Sequence, residues 1–291
     1  MSFEEVMAAL SPLLAANDAL AAIGAELSLK SSGSGADADP AFLSALGAVS
    51  AAAGLPDLDA LAPPQQAMAL NIVRLYFAMA NELLNDPGRP PGWTYTDPLV
   101  LEGMGRGSMM IPPLLAATPE LASVASLLDV GTGVGWLAIA AANLWPAAEV
   151  VGLDVWEPAL ERARTNVKEA GLEDRITLRN QDVTELDDVD AYDCAWVPTF
   201  FLHERALTTA LAKIRDALRP GGWIVLGRFA PAPDPLARAT TALRNIRGGG
   251  STLDAERSAE LLRGAGYTSV RDLERAGPAP IAFVIGQKAM I

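Results

Sequence analysis

The stretch "ASLLDVGTGVGWLAIAAANLWPAAEVVGLDV", residues 125–155, constrains the chain most. It runs from a short apolar segment through a glycine loop into an apolar helical segment, then to a second apolar strand. Two strands joined through a helix must pair in parallel, because the crossover returns the chain to the same end of the sheet. The grammar repeats to the end of the chain. "EPALERARTNVKEAG" is an amphipathic helix closed by Gly171. "RITLRN" and "YDCAWVPT" are strands, and "ERALTTALAKIRDAL" is a helix stopped by "RPGG". "WIVLGRF" is a strand, and "TLDAERSAELLRGAG" is a helix. "YTSVRDLER" and "PIAFVIGQK" have no helix between them and predict an antiparallel pair at one edge. The expected class is α/β, a doubly wound and mostly parallel sheet covered by helices on both faces.

The first 120 residues obey a different rule. Ser2 with Glu5 forms a capping box, and Asp39-Pro40 is an N-cap followed by a first-turn proline. "SSGSGADADP", residues 31–40, reads as a flexible linker. "APPQQAMALNIVRLYFAMANELLNDPG" carries helical apolar spacing and stops at Asp86-Pro87-Gly88, and another helix is expected near 97–117. The division expected is a helical region over 1–120 and a ligand-binding α/β domain over 121–291.

Charge and cysteine content narrow the function. The net charge is −13 and no Lys/Arg run offsets it, so a nucleic acid is not an expected partner. Cys194 is the one cysteine, which excludes an intrachain disulfide and disfavours a thiolate zinc site; no metal is expected. Glu4 and Glu5 stand where a signal peptide has basic residues, and no charge-free stretch reaches membrane-span length. A cytoplasmic protein without a membrane partner is expected.

A glycine loop after a first strand places a ligand at the carboxyl ends of the strands. The dinucleotide fingerprint G-x-G-x-x-G would need a glycine at position 136, where this chain has Trp136. That opposes a nicotinamide-dependent oxidoreductase. The pattern present is D-x-G-x-G-x-G, Asp129 to Gly135. It resembles the first motif of the class I S-adenosylmethionine-dependent methyltransferases. The likeness continues in order with Asp154 at the end of the second strand, Asp182 in "NQDVTEL", "YDCAWVPTFFL", and "ALRPGGWIVL". The resemblance implies a seven-stranded Rossmann-like domain with an N-terminal helical extension, and S-adenosylmethionine as cofactor. It places Asp129, Gly131, Thr132, Gly133 and Gly135 around the methionine part, with Asp129 answering its ammonium. Asp154 takes the ribose, Val155 and Trp156 cover an adenine face, and Asp182 with Val183 takes the adenine edge. Pro198 closes the fourth motif beside the cofactor.

The acceptor side is less defined. His203 in "FFLHERAL" is similar in position to the base of small-molecule O-methyltransferases, but Glu204 and Arg205 follow it instead of the family's Asp-Trp. It is either a general base or the start of the next helix. Trp93, Tyr95, Met109 and Met110 in "GWTYTDPLVLEGMGRGSMMIPP" are candidate roof residues, and the glycine-flanked Arg106 is a candidate for the cofactor carboxylate. Phe200 and Arg228 complete the candidate acceptor contacts with Tyr95 and Met109. Gly248–Gly250 is either a lid hinge or a slack loop. "WVPTF" lacks the polar residue and second proline of nucleic-acid amino-methyltransferases. The expected function is methyl transfer to a small molecule at a hydroxyl oxygen. The alternatives are a cofactor-binding protein without transfer and a protein methyltransferase. The helical region resembles in placement the dimerisation regions of small-molecule methyltransferases, which implies a homodimer.

Overall fold

The computed structural model describes residues 2–55, 57–231, 234–273 and 281–290. Two compact units make up the chain, Met1–Pro87 and Gly88–Ile291.

The first unit is helical: α1 (Phe3–Ser32), α2 (Pro40–Ala52) and α3 (Pro63–Asn85). Ser2 and Glu5 form the expected capping box, Asp39 caps α2 with Pro40 in its first turn, and α3 ends at Asp86. Leu27, Leu58 and Leu70 form its buried centre. The linker expected over 31–40 is shorter than its composition implied. Ser31 and Ser32 extend α1, and a 3-10 turn occupies Ser34–Asp37. α1 is also long and apolar enough to cross a membrane by length and composition. Asp18 is the one charge between Glu5 and Glu26, so α1 is apolar without being a charge-free run.

The second unit begins well before residue 121. Its first helices are α4 (Pro98–Gly107) and α5 (Ile111–Ala116), separated by a 3-10 turn, rather than one helix over 97–117. The boundary moves because these helices pack on the sheet domain: Ile111 and Leu115 are buried in the same core as Leu127 and Ile139. The remaining elements are β1 (Ser126–Val130), α6 (Trp136–Leu144), β2 (Glu149–Asp154), α7 (Glu157–Glu169), β3 (Ile176–Asn180) and β4 (Tyr192–Pro198). They continue as α8 (Glu204–Ala217), β5 (Leu218–Phe229), α9 (Pro235–Arg247), α10 (Ala255–Gly264), β6 (Thr268–Asp272) and β7 (Ile281–Gln287). "RPGG" stops α8 but pairs as the start of β5, with a register shift opposite Tyr192 and Cys194. α9 fills the segment between β5 and α10, for which no element was expected. The tail of "YTSVRDLER" and Pro280 lie outside the described residues.

The seven strands form one sheet in the order β3-β2-β1-β4-β5-β7-β6. All pairs are parallel except β5–β7 and β6–β7, so the expected antiparallel pair lies at the edge. Strand residues alternate between two buried layers. Leu127, Cys194, Trp196, Val225 and Ile285 face one core; Leu128, Val130, Ala195, Val197, Leu226 and Val284 face the other. Burial on both faces explains why these strands read as continuous apolar runs. The strand order reverses between β1 and β4, where open α/β sheets bind their ligands beyond the strand ends.

Candidate active site

A cavity of about 370 Å³ opens at that reversal point. One side of it is made by strand ends. The β1–α6 loop contributes Gly131, Thr132 and Gly133, β2 ends in Asp154 followed by Val155 and Trp156, and Asp182, Val183 and Pro198 complete this side. Gly131 and Gly133 have φ of 67° and 55°, which side-chain-bearing residues rarely adopt. A Cβ on Gly131 would come no closer than 3.5 Å to other protein atoms, and one on Gly133 no closer than 3.9 Å. Glycine at these positions therefore spares ligand space as well as strain.

The donor and acceptor pattern suits an adenosyl ligand. Asp154 Oδ2 accepts from the Gly133 amide and Oδ1 from the Trp156 amide, both at 2.8 Å. These bonds fix the carboxylate and leave further lone pairs for two hydroxyls of a ribose. Burial pushes this carboxyl up, and the amides of Trp156, Gly133 and Val155 pull it back in part. Asp182 Oδ1 accepts from both Thr184 N and Oγ1 at 2.8 Å. Its Oδ2 remains for an exocyclic amine, beside the Val183 amide.

Two members of the glycine motif stand behind the cavity. Asp129 is buried and accepts from Thr132 Oγ1 at 2.7 Å. It does not line the cavity, whereas Thr132 does, so it stands behind the wall as a support for Thr132; burial raises its pKa to about 7. Gly135, with φ of 84°, starts α6, and a Cβ there would lie 3.3 Å from the Ala163 Cβ. It permits close packing of α6 and α7 instead of touching ligand.

The opposite side is a roof. Pro91, Gly92, Trp93, Leu101, Met104 and Ser108 come from before the sheet; Phe201, Leu202, Ala206, Gly248 and Gly249 come from after β4 and α9. The roof is tied together by backbone and side-chain bonds. The Gly92 amide donates to the Arg247 carbonyl at 3.1 Å, and Arg247 Nη1 donates to the Arg89 carbonyl at 2.7 Å. Gly248–Gly250 is thus a packed corner at the end of α9 rather than a slack loop.

Glu102 holds α4 down. Its Oε2 accepts from Trp136 Nε1 at 2.7 Å, and Oε1 accepts from Arg162 Nε and Nη2 at 2.9 and 2.8 Å. Asn166 Nδ2 adds a longer bond at 3.3 Å. Burial pushes the Glu102 carboxyl up, but the bonds from Trp136, Arg162 and Asn166 outweigh it and hold the pKa below the ordinary value. Sequence reading missed Glu102, since a lone acid in a helix gives no sign of partners 34 to 64 residues away.

Several expected contacts are not in the cavity wall. The Arg106 guanidinium stacks on Trp136, 4.2 Å from the ring centroid, and approaches Glu102 at 3.7 Å. It does not line the cofactor side. Tyr95 is buried edge-to-face behind Trp93, with ring centroids 4.9 Å apart, and its carbonyl accepts from Trp156 Nε1. Met109 is absent from the wall, which takes Met104 from α4 and the adjacent Ser108 instead. Phe200 is buried in the core while its neighbour Phe201 lines the cavity. Arg228 pairs with Asp272 and lines a different cavity. His203 is the N-cap of α8: its Nδ1 accepts from the Arg205 amide at 3.2 Å, and its side chain is exposed outside the wall. That arrangement is the helix start, not a general base facing the cavity. Among the described residues no group of three or more His, Cys, Asp or Glu could hold a metal.

Residues 127–222 match the model of the methyltransferase domain family. The ribosomal protein uL3 glutamine methyltransferase of Bordetella pertussis is 50% identical over 66 residues, 23% of this chain and 22% of that protein. The 27-O-demethylrifamycin SV methyltransferase of Amycolatopsis mediterranei is 32% identical over 119 residues, 40% of this chain and 43% of that protein. The chain thus spans less than half the length of these curated relatives. Among solved structures, the S-adenosylmethionine-dependent methyltransferase SibL has a TM-score of 0.69 at 24% identity, covering 97% of this chain and 99% of that one. The mitomycin 7-O-methyltransferase MmcR has a TM-score of 0.67 at 20% identity, covering 98% and 97%. These two likenesses concern the fold. With the family match falling on the loop and strands that build this cavity, residues 127–222 form a methyltransferase domain, and the chain has the fold of the class I S-adenosylmethionine-dependent methyltransferases.

Proposed function

We propose that the protein transfers a methyl group from S-adenosylmethionine to a hydroxyl oxygen of a small, partly apolar molecule. The observation that carries this reading is the division of one cavity into a polar strand-end side and an apolar roof. Asp154 and Asp182 suit the nucleoside, while Trp93, Leu101, Met104, Phe201 and Leu202 suit a hydrocarbon acceptor. Two of the similar proteins, by their names, methylate oxygens of rifamycin and mitomycin compounds, which supports a small acceptor.

S-adenosylmethionine supplies an electrophilic methyl on sulfur. The protein's part is to hold the acceptor in line with it and to exclude water. With His203 committed to capping α8, alignment and desolvation carry the reaction, and the acceptor hydroxyl is acidic enough to ionise without a histidine. A phenolic or enolic hydroxyl meets that requirement. Incubation with a panel of phenols, alcohols and amines and a deuterated-methyl donor, read by mass spectrometry, tests this. O-methylated phenol is the expected product. Exclusive labelling of an amine or of a glutamine-containing peptide would overturn the oxygen assignment, and tight cofactor binding without any labelling would favour a non-catalytic role.

A homodimer belongs to the same proposal. Phe3, Met7, Leu10 and Leu14 recur at helical spacing on α1 and are exposed, a stripe suited to a second copy of α1. Sedimentation should give twice the 30.4 kDa chain mass.

A further inference from the structure

Gly105 stands inside α4 with ordinary helical backbone, so no positive φ calls for a glycine there. A glycine inside a helix weakens it relative to alanine. What requires this one is space. A Cβ on Gly105 would overlap Val134 Cγ2 and lie 3.0 Å from Trp136 Cδ1. Carbon atoms in good contact sit about 3.5–4.0 Å apart, so no side chain fits at position 105 unless α4 or Val134 moves. The Val134 side chain fills the notch that Gly105 leaves. Both residues line the cofactor cavity, together with Leu101 and Met104 of α4.

The two sides of this contact differ in their freedom to move. Val134 lies between Gly133 and Gly135, whose φ of 55° and 84° shape the loop. Its carbonyl accepts from Asn166 Nδ2 at 2.9 Å, and the residue is 2% exposed. α4 is fastened to the same region by the Glu102 side chain, one turn earlier, through Trp136 Nε1 and Arg162. A long side chain bonded at its tip can follow a small shift of its helix. A buried, β-branched valine in a glycine loop has no such slack. Bulk added at position 105 is therefore relieved by α4, which lifts from the loop and takes Leu101 and Met104 with it.

We propose that Gly105 is a specificity-determining residue for the methyl transfer. By admitting the Val134 side chain it sets how closely α4 covers the glycine loop, and so how thick an acceptor the cavity takes. This rests on the reading of the cavity as a joint cofactor and acceptor site. The helix backbone itself meets the loop, so the acceptors favoured are slender ones, single-ring phenols over fused-ring phenols. A side chain at position 105 shifts the preference towards the larger acceptor.

The parent, Gly105→Ala and the double variant Gly105→Ala with Val134→Ala are compared as full chains. The probes are S-adenosylhomocysteine for the cofactor side, and phenol and 1-naphthol with S-adenosylmethionine for the acceptor side. Gly105→Ala should bind S-adenosylhomocysteine within about threefold of the parent in calorimetry. In that complex the amides of α4 should exchange with deuterium faster than in the parent, and those of residues 131–135 at parental rates. The ratio of kcat/KM for 1-naphthol over phenol should rise at least about tenfold. The double variant removes the atom that the new Cβ meets. Ratio and α4 exchange should both return towards the parent, a non-additive result that two unrelated packing defects would not give. Parental exchange and a parental ratio in Gly105→Ala would overturn the proposal. So would a loss of S-adenosylhomocysteine affinity as large as the change in ratio, since the loop would then be the side that yields. If Gly105→Ala does not fold, folding restored in the double variant supports the contact, and an unfolded double variant overturns it. If the parent binds S-adenosylhomocysteine but methylates neither phenol, the hydroxyl assignment fails and α4 exchange in the variants decides the role of Gly105. If the parent does not bind S-adenosylhomocysteine, the cofactor reading fails and this proposal with it.

Discussion

The strand-end side and the roof of the cofactor cavity are built on different principles. On the strand-end side, every functional group is fixed by the backbone within a few residues of a strand: Asp154 by two amides, Asp182 by Thr184, the glycines by their own φ angles. The roof is assembled from segments far apart in sequence, Gly92 bonded to Arg247 and α4 held by Glu102 to α6 and α7. The first side depends on local conformation and should break through single loop substitutions. The second depends on long-range bonds and should loosen as a unit.

The largest effect is expected on the strand-end side. Gly133→Val would force a β-branched residue to a positive φ, at a cost of about 1–2 kcal/mol, and fill ligand space as well. Loss of cofactor affinity by roughly 100-fold or more is expected from the two together, measured by calorimetry. Parental affinity would show that the loop does not hold the ligand.

Glu102→Ala tests the roof. It leaves Trp136 Nε1, Arg162 and Asn166 without their shared acceptor. A stability loss of about 2–3 kcal/mol is expected in denaturant melts, with acceptor KM rising more than cofactor Kd. Equal changes in both would erase the distinction between the two sides. The depressed Glu102 pKa also has a sign: its contribution is present above the unfolded carboxylate pKa and is lost as pH falls through the lower folded value.

Asp129 behaves in the opposite sense. Its folded pKa of about 7 lies above the ordinary aspartate value of 3.8. Its contribution is therefore full below about pH 4 and is lost as pH rises towards 7. Asp129→Asn should flatten that decline in the ligand-free protein, by on the order of 1 kcal/mol or more at pH 8. A variant with the same pH dependence as the parent would show that Asp129 ionises normally.

The smallest effect is expected at His203. Its Nδ1 satisfies one amide of α8, so His203→Ala should cost about 0.5–1 kcal/mol of stability and leave turnover per folded molecule unchanged. A drop of about 100-fold with normal stability would restore it as a general base.

The same contrast explains what was legible in the sequence. The α/β class and the antiparallel edge followed from local periodicity, and the strand-end residues now found in the cavity wall were expected from the likeness of the Asp129–Gly135 loop and the motifs after it to a known family. The roof followed from neither. Tyr95 and Trp93 are close in sequence and chemically alike, yet only Trp93 reaches the cavity. Phe200 and Phe201 divide in the same way across a single 3-10 turn. Arg106 was read from its glycine neighbours, whereas its position follows from Trp136, 30 residues on. Such assignments depend on which face a side chain takes after long-range packing, and local spacing carries no record of it. The start of the second unit was misplaced for the same reason, since α4 and α5 are helical in sequence but belong to the sheet domain by packing.

The central claim is that the Gly131–Gly133 loop and Asp154 hold an adenosyl cofactor rather than a dinucleotide. Calorimetric titration of the parent and of Asp154→Ala with S-adenosylhomocysteine and with NADH tests it directly. The account predicts saturable binding of S-adenosylhomocysteine by the parent, weakening of at least about tenfold in the variant, and no comparable binding of NADH. Preference for NADH, or equal S-adenosylhomocysteine affinity in parent and variant, would contradict it.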